Sequence, residues 1–163
     1  MHCVGCWAGE YGHKNNLSFE DMDKIITEGK ELGVYLYMLT GGEPLVRKAD
    51  ILRLAKKHNN VQFAIYTNST LIDEPFCEEV VKLGNIAFML SIEGTPSTND
   101  ARRGDGHYAA VMNAMDLLKP TGSFSAPLSV IPETISKPSP ATTLCGCSAT
   151  RVRTSGSTST ICR

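Results

Sequence analysis

Apolar residues recur along this chain with two spacings that alternate. Repeats of three and four residues predict helices over 18–32, 48–58, 73–83 and 108–119. Between them, β-branched and aromatic runs predict strands at 34–39, 61–67 and 86–90. Because strands that alternate with helices through short connections pair in parallel by right-handed crossovers, the pattern predicts an α/β fold built on a parallel sheet.

Two of the predicted helices carry local start and stop signals. Ser18 followed by Asp21 forms a weak capping box, and Gly33 can end that helix. Asp73 can cap the third helix, and Gly84 follows its last apolar residue. These signals support the predicted boundaries.

Polar or glycine-rich loops follow each of the three predicted strands. They are Thr40-Gly41-Gly42-Glu43-Pro44, then Thr67-Asn68, then Ser91-Ile92-Glu93-Gly94. Ligands of parallel sheets bind at the carboxyl ends of the strands. We therefore expect the functional site at this edge, with the glycine- and charge-rich stretch 100–106 as a further loop leading to the last helix.

The character of the chain changes after residue 119. Residues 120–163 hold 17 serines and threonines and five of the eight prolines, without helical or alternating periodicity. One interpretation is an irregular, disordered tail. The other is a segment translated out of frame, because codons for this segment, if read in a frame shifted by two bases, are compatible with apolar, strand-like sequences. The predicted division is an α/β core at 1–119 and a Ser/Thr/Pro-rich tail at 120–163.

Composition narrows the function class. With 16 basic and 17 acidic residues the net charge is −1, which argues against a nucleic-acid binder or a protein held electrostatically on a membrane. There is no apolar run of the roughly 18 residues that a membrane span needs, and no export signal. We therefore expect a cytoplasmic protein, whose six cysteines would be thiols, metal ligands or redox groups rather than a disulfide framework.

Cys3 and Cys6 are the leading candidates for metal ligands, because two thiolates on one tight turn can bind one metal centre. Three alternatives stay open: a zinc site completed by Cys145 and Cys147, a thioredoxin-like dithiol, and two unrelated surface cysteines. Cys77, on the third helix, is interpreted as a packed thiol. The histidines at 13, 58 and 107 are interpreted as solvated.

Taken together and in order, the motifs resemble those of the radical S-adenosylmethionine (radical SAM) enzymes. The resemblance covers residues 1–119. It rests on His2-Cys3-Val4-Gly5-Cys6-Trp7, Thr40 to Pro44, Thr67-Asn68, Ser91 to Gly94 and Arg102-Arg103-Gly104. It implies a partial (β/α) barrel of about three and a half units, where the family has six, followed by the irregular tail.

The resemblance also implies site residues. Cys3 and Cys6 match the second and third cysteines of a motif that holds a [4Fe-4S] cluster; the first would lie two residues before Met1. Gly41, Gly42, Glu43 and Pro44 would line the methionine end of SAM, and Ser91 with Glu93 would bind its ribose hydroxyls. Arg103 would pair with the carboxylate of SAM, and Arg102 is an equal candidate for that task.

The implied activity is reductive cleavage of SAM to a 5′-deoxyadenosyl radical, which abstracts hydrogen from a small-molecule or peptide substrate. A reductant such as ferredoxin or flavodoxin would supply the electron. The alternatives are a zinc-binding or redox Cys-x-x-Cys module and an inactive truncated product.

Overall fold

The computed structural model describes residues 3–6 and 16–119 with their side chains, and the backbone of 125–128, 149–154 and 157–162. Trp7, Cys145 and Cys147, which entered the sequence interpretation, lie outside these residues, as does His13.

The predicted alternation of helices and strands is confirmed. The helices are α1 (Phe19–Glu31), α2 (Lys48–Lys57), α3 (Glu74–Leu83), α4 (Pro96–Arg103) and α5 (His107–Leu118), with a 3-10 turn at Pro44–Arg47. The strands are β1 (Leu36–Leu39), β2 (Gln62–Thr67), β3 (Ile86–Ser91), β4 (Ser125–Leu128), β5 (Ala149–Thr154) and β6 (Ser157–Cys162).

The helix boundaries follow from the local signals. The Ser18 side chain accepts from the backbone N–H of Asp21, and the Asp21 carboxylate accepts from the backbone N–H of Ser18, so the capping box is complete. Asp73 caps α3 by accepting from the N–H of Phe76 at 3.1 Å. Gly84 ends α3 in the left-handed conformation, with φ of 70°.

One helix was not predicted. Residues 96–103 form α4, so the expectation of a loop across 100–106 is wrong for its first half. The stretch has no apolar stripe, and the helix depends on polar contacts instead: Thr95 caps it, Pro96 occupies its first turn, and Asn99 is completely buried. The Thr-Pro start was a usable signal, since proline is favoured just after an N-cap.

The four strands β1 to β4 form one parallel sheet whose spatial order follows the order of the chain. Tyr37 pairs with Phe63, which pairs with Ile86, and Phe88 pairs with Ser125 in turn. Right-handed crossovers between strands added in sequence all pass over the same face of the sheet. This arrangement is that of a (β/α) barrel wall and differs from a doubly wound sheet, in which the order reverses.

The core lies between the sheet and its helices. Phe63, Ile65, Phe88 and Leu90 are fully buried on the helix-covered face, against apolar residues of α2, α3 and α5. Cys77 belongs to the same core, which confirms the packed thiol, and burial raises its pKa.

The alternate residues of the strands lie on the other face of the sheet, which stays partly open. Met38, Ala64, Tyr66, Met89 and Ser91 are half-buried or exposed there. The hydroxyl of Tyr66 approaches the sulfur of Met38 at 3.6 Å across this face. In a barrel wall this is the face that turns inward.

Residues 132–163 form a second compact unit. In it, β5 and β6 pair antiparallel, with Ala149 opposite Cys162 and Thr154 opposite Ser157. Most of 120–148 lies outside the described residues, and the assignment of 120–163 as a disordered or out-of-frame tail stays a prediction. Within the described residues, no helix has the length and apolar character needed to cross a membrane.

Candidate cofactor site at the carboxyl edge of the sheet

Glu43 joins the loop after β1 to the end of β2. Its Oε1 accepts from the N–H of Leu45 at 3.0 Å and from the hydroxyl of Thr67 at 2.7 Å. Its Oε2 accepts from the backbone N–H of Asn68 at 2.7 Å. The carboxylate that sequence reasoning assigned to the cofactor is thus occupied by the protein itself. The contacts give Thr67 and Asn68 a structural role in holding the loop of Glu43.

The two glycines before Glu43 differ in what the fold requires of them. Gly41 has φ of 140°, which favours glycine. Gly42 has no such φ, and a Cβ added to it would meet no atom of the described chain within 4 Å. Nothing in the described protein therefore explains why Gly42 lacks a side chain. A ligand that approaches the backbone closely at this point would explain it.

A cavity of about 420 Å³ borders this loop. It is lined by residues of α1, β1, the 40–44 segment, the 3-10 turn and α2, among them Met22, Tyr37 and Gly42. Ser91 and Glu93 are not among its lining residues, so this cavity contains only one of the two groups of predicted SAM contacts.

The second group, at the end of β3, is dominated by a buried ion cluster. The Glu93 side chain is 6% exposed, and its Oε1 accepts from Arg102 Nη1 at 2.8 Å and from Arg103 Nε and Nη2 at 3.0 and 2.6 Å. Both arginines, which sequence reasoning treated as equal candidates for the SAM carboxylate, are bound to Glu93. A carboxylate paired with two guanidinium groups tolerates burial, because its charge is compensated.

Ser91 does not take part in this ion cluster. Its side chain lies on the open face of the sheet, and its hydroxyl has no hydrogen-bond partner among the residues that the structure describes. Glu93 Oε2 likewise has none within that part of the chain. These two oxygens can accept from, or in the case of Ser91 donate to, the hydroxyls of a ligand.

Cys3 and Cys6 lie on a β-turn. The N–H of Cys6 donates to the carbonyl of Cys3 at 3.2 Å, and Gly5 has φ of 71° at the third position. Glycine is thus the residue that this turn conformation favours at position 5. Cys6 is exposed and Cys3 partly so, and neither forms a disulfide.

The cysteine turn is held against α4. The N–H of Val4 donates to the carbonyl of Arg102 at 2.9 Å, and Arg102 Nε donates to the carbonyl of Val4 at 3.2 Å. Since Arg102 also binds Glu93, the two cysteines and the end of β3 lie on the same edge of the sheet. Among the described residues, no group of three or more His, Cys, Asp or Glu could hold a metal ion.

The prediction that the histidines are solvated is wrong for two of them. His58 and His107 are each 2% exposed. His58 Nε2 lies 2.8 Å from an oxygen of Asp23, which joins α1 to α2. His107 binds the loop after β2, as described below. Their partners are 35 and 39 positions away in sequence, so no local pattern could have revealed this burial.

The parallel sheet, its sequential strand order and its polar carboxyl edge define a wall of the (β/α) barrel class of proteins. The chain belongs to the Radical SAM superfamily, whose family model matches residues 1–136. The resemblance inferred from the sequence motifs is thereby confirmed. The cofactors of this family are a [4Fe-4S] cluster and S-adenosylmethionine, as the motifs predicted.

Individual proteins are similar to part of this chain. A protein of Archaeoglobus fulgidus described as uncharacterized is 37% identical over 100 residues, covering 61% of this chain and 24% of its own. An Fe-coproporphyrin III synthase of Methanosarcina barkeri is 32% identical over 108 residues, covering 64% and 27%. The chain thus spans about a quarter of the length of these curated relatives.

A solved structure, anSMEcpe with bound AdoMet and the Kp18Cys peptide, superposes with a TM-score of 0.66. Its sequence identity is 20%, and the match covers 79% of this chain and 39% of that one. At this identity the likeness shows the fold. It confirms the α/β architecture that the sequence predicts.

The residues present fit these cofactors in part. Gly42, Ser91 and Glu93 Oε2 leave backbone, hydroxyl and carboxylate groups free for SAM. Cys3 and Cys6 offer two thiolates on one turn, the ligand type that iron–sulfur clusters require. Two is one fewer than the three cysteines of the family motif.

Proposed function

We propose that this chain is the cofactor-binding part of a radical SAM enzyme, in which Cys3 and Cys6 ligate the [4Fe-4S] cluster and the carboxyl edge of the sheet binds SAM. The observation that supports it best is the link from the cysteine turn through Arg102 to Glu93. It brings the proposed cluster ligands and the proposed ribose contacts to one edge.

Each group has a distinct task in this proposal. The backbone at Gly41 and Gly42 approaches the methionine end of SAM, with Glu43 and Pro44 fixing the turn that presents it. Ser91 Oγ and the free oxygen of Glu93 bind the ribose hydroxyls. Arg103, whose guanidinium is engaged by Glu93, contributes positive charge near the SAM carboxylate and holds Glu93 in place.

Cys3 and Cys6 would hold the cluster, which with an external reductant such as ferredoxin or flavodoxin would supply the reductive cleavage of SAM to methionine and a 5′-deoxyadenosyl radical for hydrogen abstraction from the substrate. The part of the described chain is to orient SAM and to keep water from the reacting end. No described residue needs to act as a general base.

The substrate class that we propose is a small molecule or peptide that enters along the open face of the sheet. Met38, Tyr66 and Met89 supply an apolar surface there, and Ser91 marks its cofactor end. The similar structure with the Kp18Cys peptide supports a peptide, since a peptide occupies a protein of this fold. The near-zero net charge gives no reason to expect a polyanion.

Anaerobic reconstitution with iron, sulfide and a small thiol tests the proposal. We expect an EPR signal from the reduced cluster that changes when SAM is added. The signal should be lost in Cys3→Ser and in Cys6→Ser. It should be retained in the control Cys77→Ala, whose thiol is buried on α3. A variant with an added cysteine four positions before Cys3 supplies the full family motif and should raise the cluster yield. If neither chain gives a SAM-sensitive signal, the proposal is wrong.

A further inference from the structure

A continuous run of hydrogen bonds connects the loop after β1 to the loop after β3. Asn68 N–H donates to Glu43 at 2.7 Å, and the Asn68 carbonyl lies 3.0 Å from His107 Nε2. His107 Nδ1 lies 3.0 Å from Asn99 Nδ2, and Asn99 Oδ1 accepts from Glu93 N–H at 3.1 Å. His107 is the middle member and contacts both halves.

Backbone groups at both sides fix the proton positions. The Asn68 carbonyl can only accept, so His107 Nε2 carries the hydrogen. The Glu93 N–H can only donate, which assigns Oδ1 of Asn99 as acceptor and turns its Nδ2 toward His107 Nδ1. The imidazole is therefore neutral, with one nitrogen donating and the other accepting.

The surroundings of His107 suit this neutral form. Burial and the positive charge of Arg103 lower the pKa of His107, against the opposing influence of the Asn68 carbonyl and of Asp100 and Glu93. Asn99 is 0% exposed, so neither partner can turn to water if the other is lost. Removing one member therefore leaves a buried polar group unpaired.

We propose that His107 is a positioning residue that fixes the Gly41–Glu43 loop and the Ser91–Glu93 loop at the separation that one bound SAM requires. This rests on the proposed function, in which SAM contacts both loops at once. A ligand that spans two loops binds tightly when their separation is set beforehand, because less ordering is left for the binding step.

The test compares His107→Leu with His58→Leu. Both histidines are 2% exposed and each has long-range side-chain contacts, but His58 binds Asp23 on α1, away from the SAM loops. Two quantities are measured on the full chain: amide hydrogen exchange at Asn68 and Glu93, and the dissociation constant for SAM after reconstitution.

We expect His107→Leu to speed hydrogen exchange at both amides and to weaken SAM binding by about tenfold or more. This is the effect expected from the loss of one buried hydrogen-bonded contact. His58→Leu should destabilise the fold without either effect. His107→Gln, which keeps a donor for the Asn68 carbonyl, should recover part of the affinity. It also carries the test if the leucine variant does not fold.

The outcomes separate the two proposals. If the unmodified chain binds SAM and both His107 variants bind it equally well, His107 has no positioning role and the proposed function stands. Unchanged exchange at the Asn68 or Glu93 amide overturns the positioning role as well. If the unmodified chain and the variant with the added cysteine bind no SAM, the proposed function fails and the positioning role fails with it.

Discussion

Val4 and Arg102, 98 positions apart, are joined by two hydrogen bonds, one from the Val4 N–H and one from the Arg102 guanidinium. Arg102 also binds Glu93, so one side chain contacts the cysteine turn and the end of β3 together. The relationship explains how a short turn with few other described contacts is held on the edge where the SAM contacts are proposed.

Arg102→Lys should release the cysteine turn. Lysine keeps the charge beside Glu93 but has a single nitrogen, which cannot reproduce the fork of a guanidinium. We expect about tenfold faster hydrogen exchange at the Val4 amide, corresponding to the loss of roughly one hydrogen bond. Arg53→Lys, on the exposed side of α2, is the matched control. Equal protection of Val4 in both variants would contradict this role.

Glu43→Gln should destabilise the fold although it changes only one oxygen to nitrogen. The Glu43 carboxylate accepts three hydrogen bonds, from Leu45, Thr67 and Asn68. A glutamine must turn an NH₂ group toward one of these donors, so we expect a loss of about 1–3 kcal/mol in the free energy of unfolding in urea. Glu78→Gln, on the exposed side of α3, should change it little. A loss no larger than that of Glu78→Gln would show that the three bonds contribute nothing.

Gly29→Ala should cost stability because Tyr37 lies against the place of the new methyl group. A Cβ at residue 29 would overlap the Tyr37 hydroxyl and lie 3.2 Å from Cζ. Overpacking of this kind typically costs about 1–3 kcal/mol. Tyr37→Phe alone loses the hydroxyl, which donates toward the carbonyls of Ile26 and Val34, at about 1 kcal/mol.

Thermal unfolding of the double variant Gly29→Ala/Tyr37→Phe shows whether overlap with the Tyr37 hydroxyl causes the stability loss of Gly29→Ala. Because phenylalanine removes the atom that the new methyl group meets first, the double variant should lose less than the sum of the single losses. Strict additivity would mean that the cost of the Gly29→Ala substitution arises elsewhere in α1.

The pKa of His107 predicts a loss of stability in mild acid. Its folded-state pKa is lowered, so below the ordinary value of 6.5 the unfolded chain takes up a proton that the folded chain does not. The contribution is complete above pH 6.5 and is lost as the pH falls toward the folded pKa. The unfolding free energy of the unmodified chain should therefore fall between about pH 7 and 5 relative to His107→Gln, which cannot titrate. A difference that is constant over this range would contradict the lowered pKa.

Local sequence signals predicted the fold well where the cause is local. Ser18 and Asp21, or Asp73 and Gly84, define helix ends within a few residues of themselves. The helix α4 was missed because its buried residue is Asn99, which sequence patterns place on the surface. The ordered strand-end loops could be located from the sequence, but the partners of their side chains could not.

The partners inside the candidate site are set by the tertiary fold. Glu93 was predicted to face a ligand, yet two arginines nine and ten positions later occupy one of its oxygens. Glu43 reaches Thr67 and Asn68 across 24 and 25 positions. Such contacts depend on strand register and helix placement, which no short motif encodes.

The most direct test of the SAM site is the EPR signal of the reduced cluster, recorded with and without SAM, in the chain with the added cysteine and in its Gly42→Val variant. A Cβ at Gly42 meets no described protein atom, so the melting temperature should stay the same while the bulkier side chain blocks the backbone from SAM. The proposed contact of SAM with the backbone at Gly42 predicts a SAM-induced change in the chain that keeps Gly42 and none in Gly42→Val. A change of equal size in both, or in neither, would contradict it.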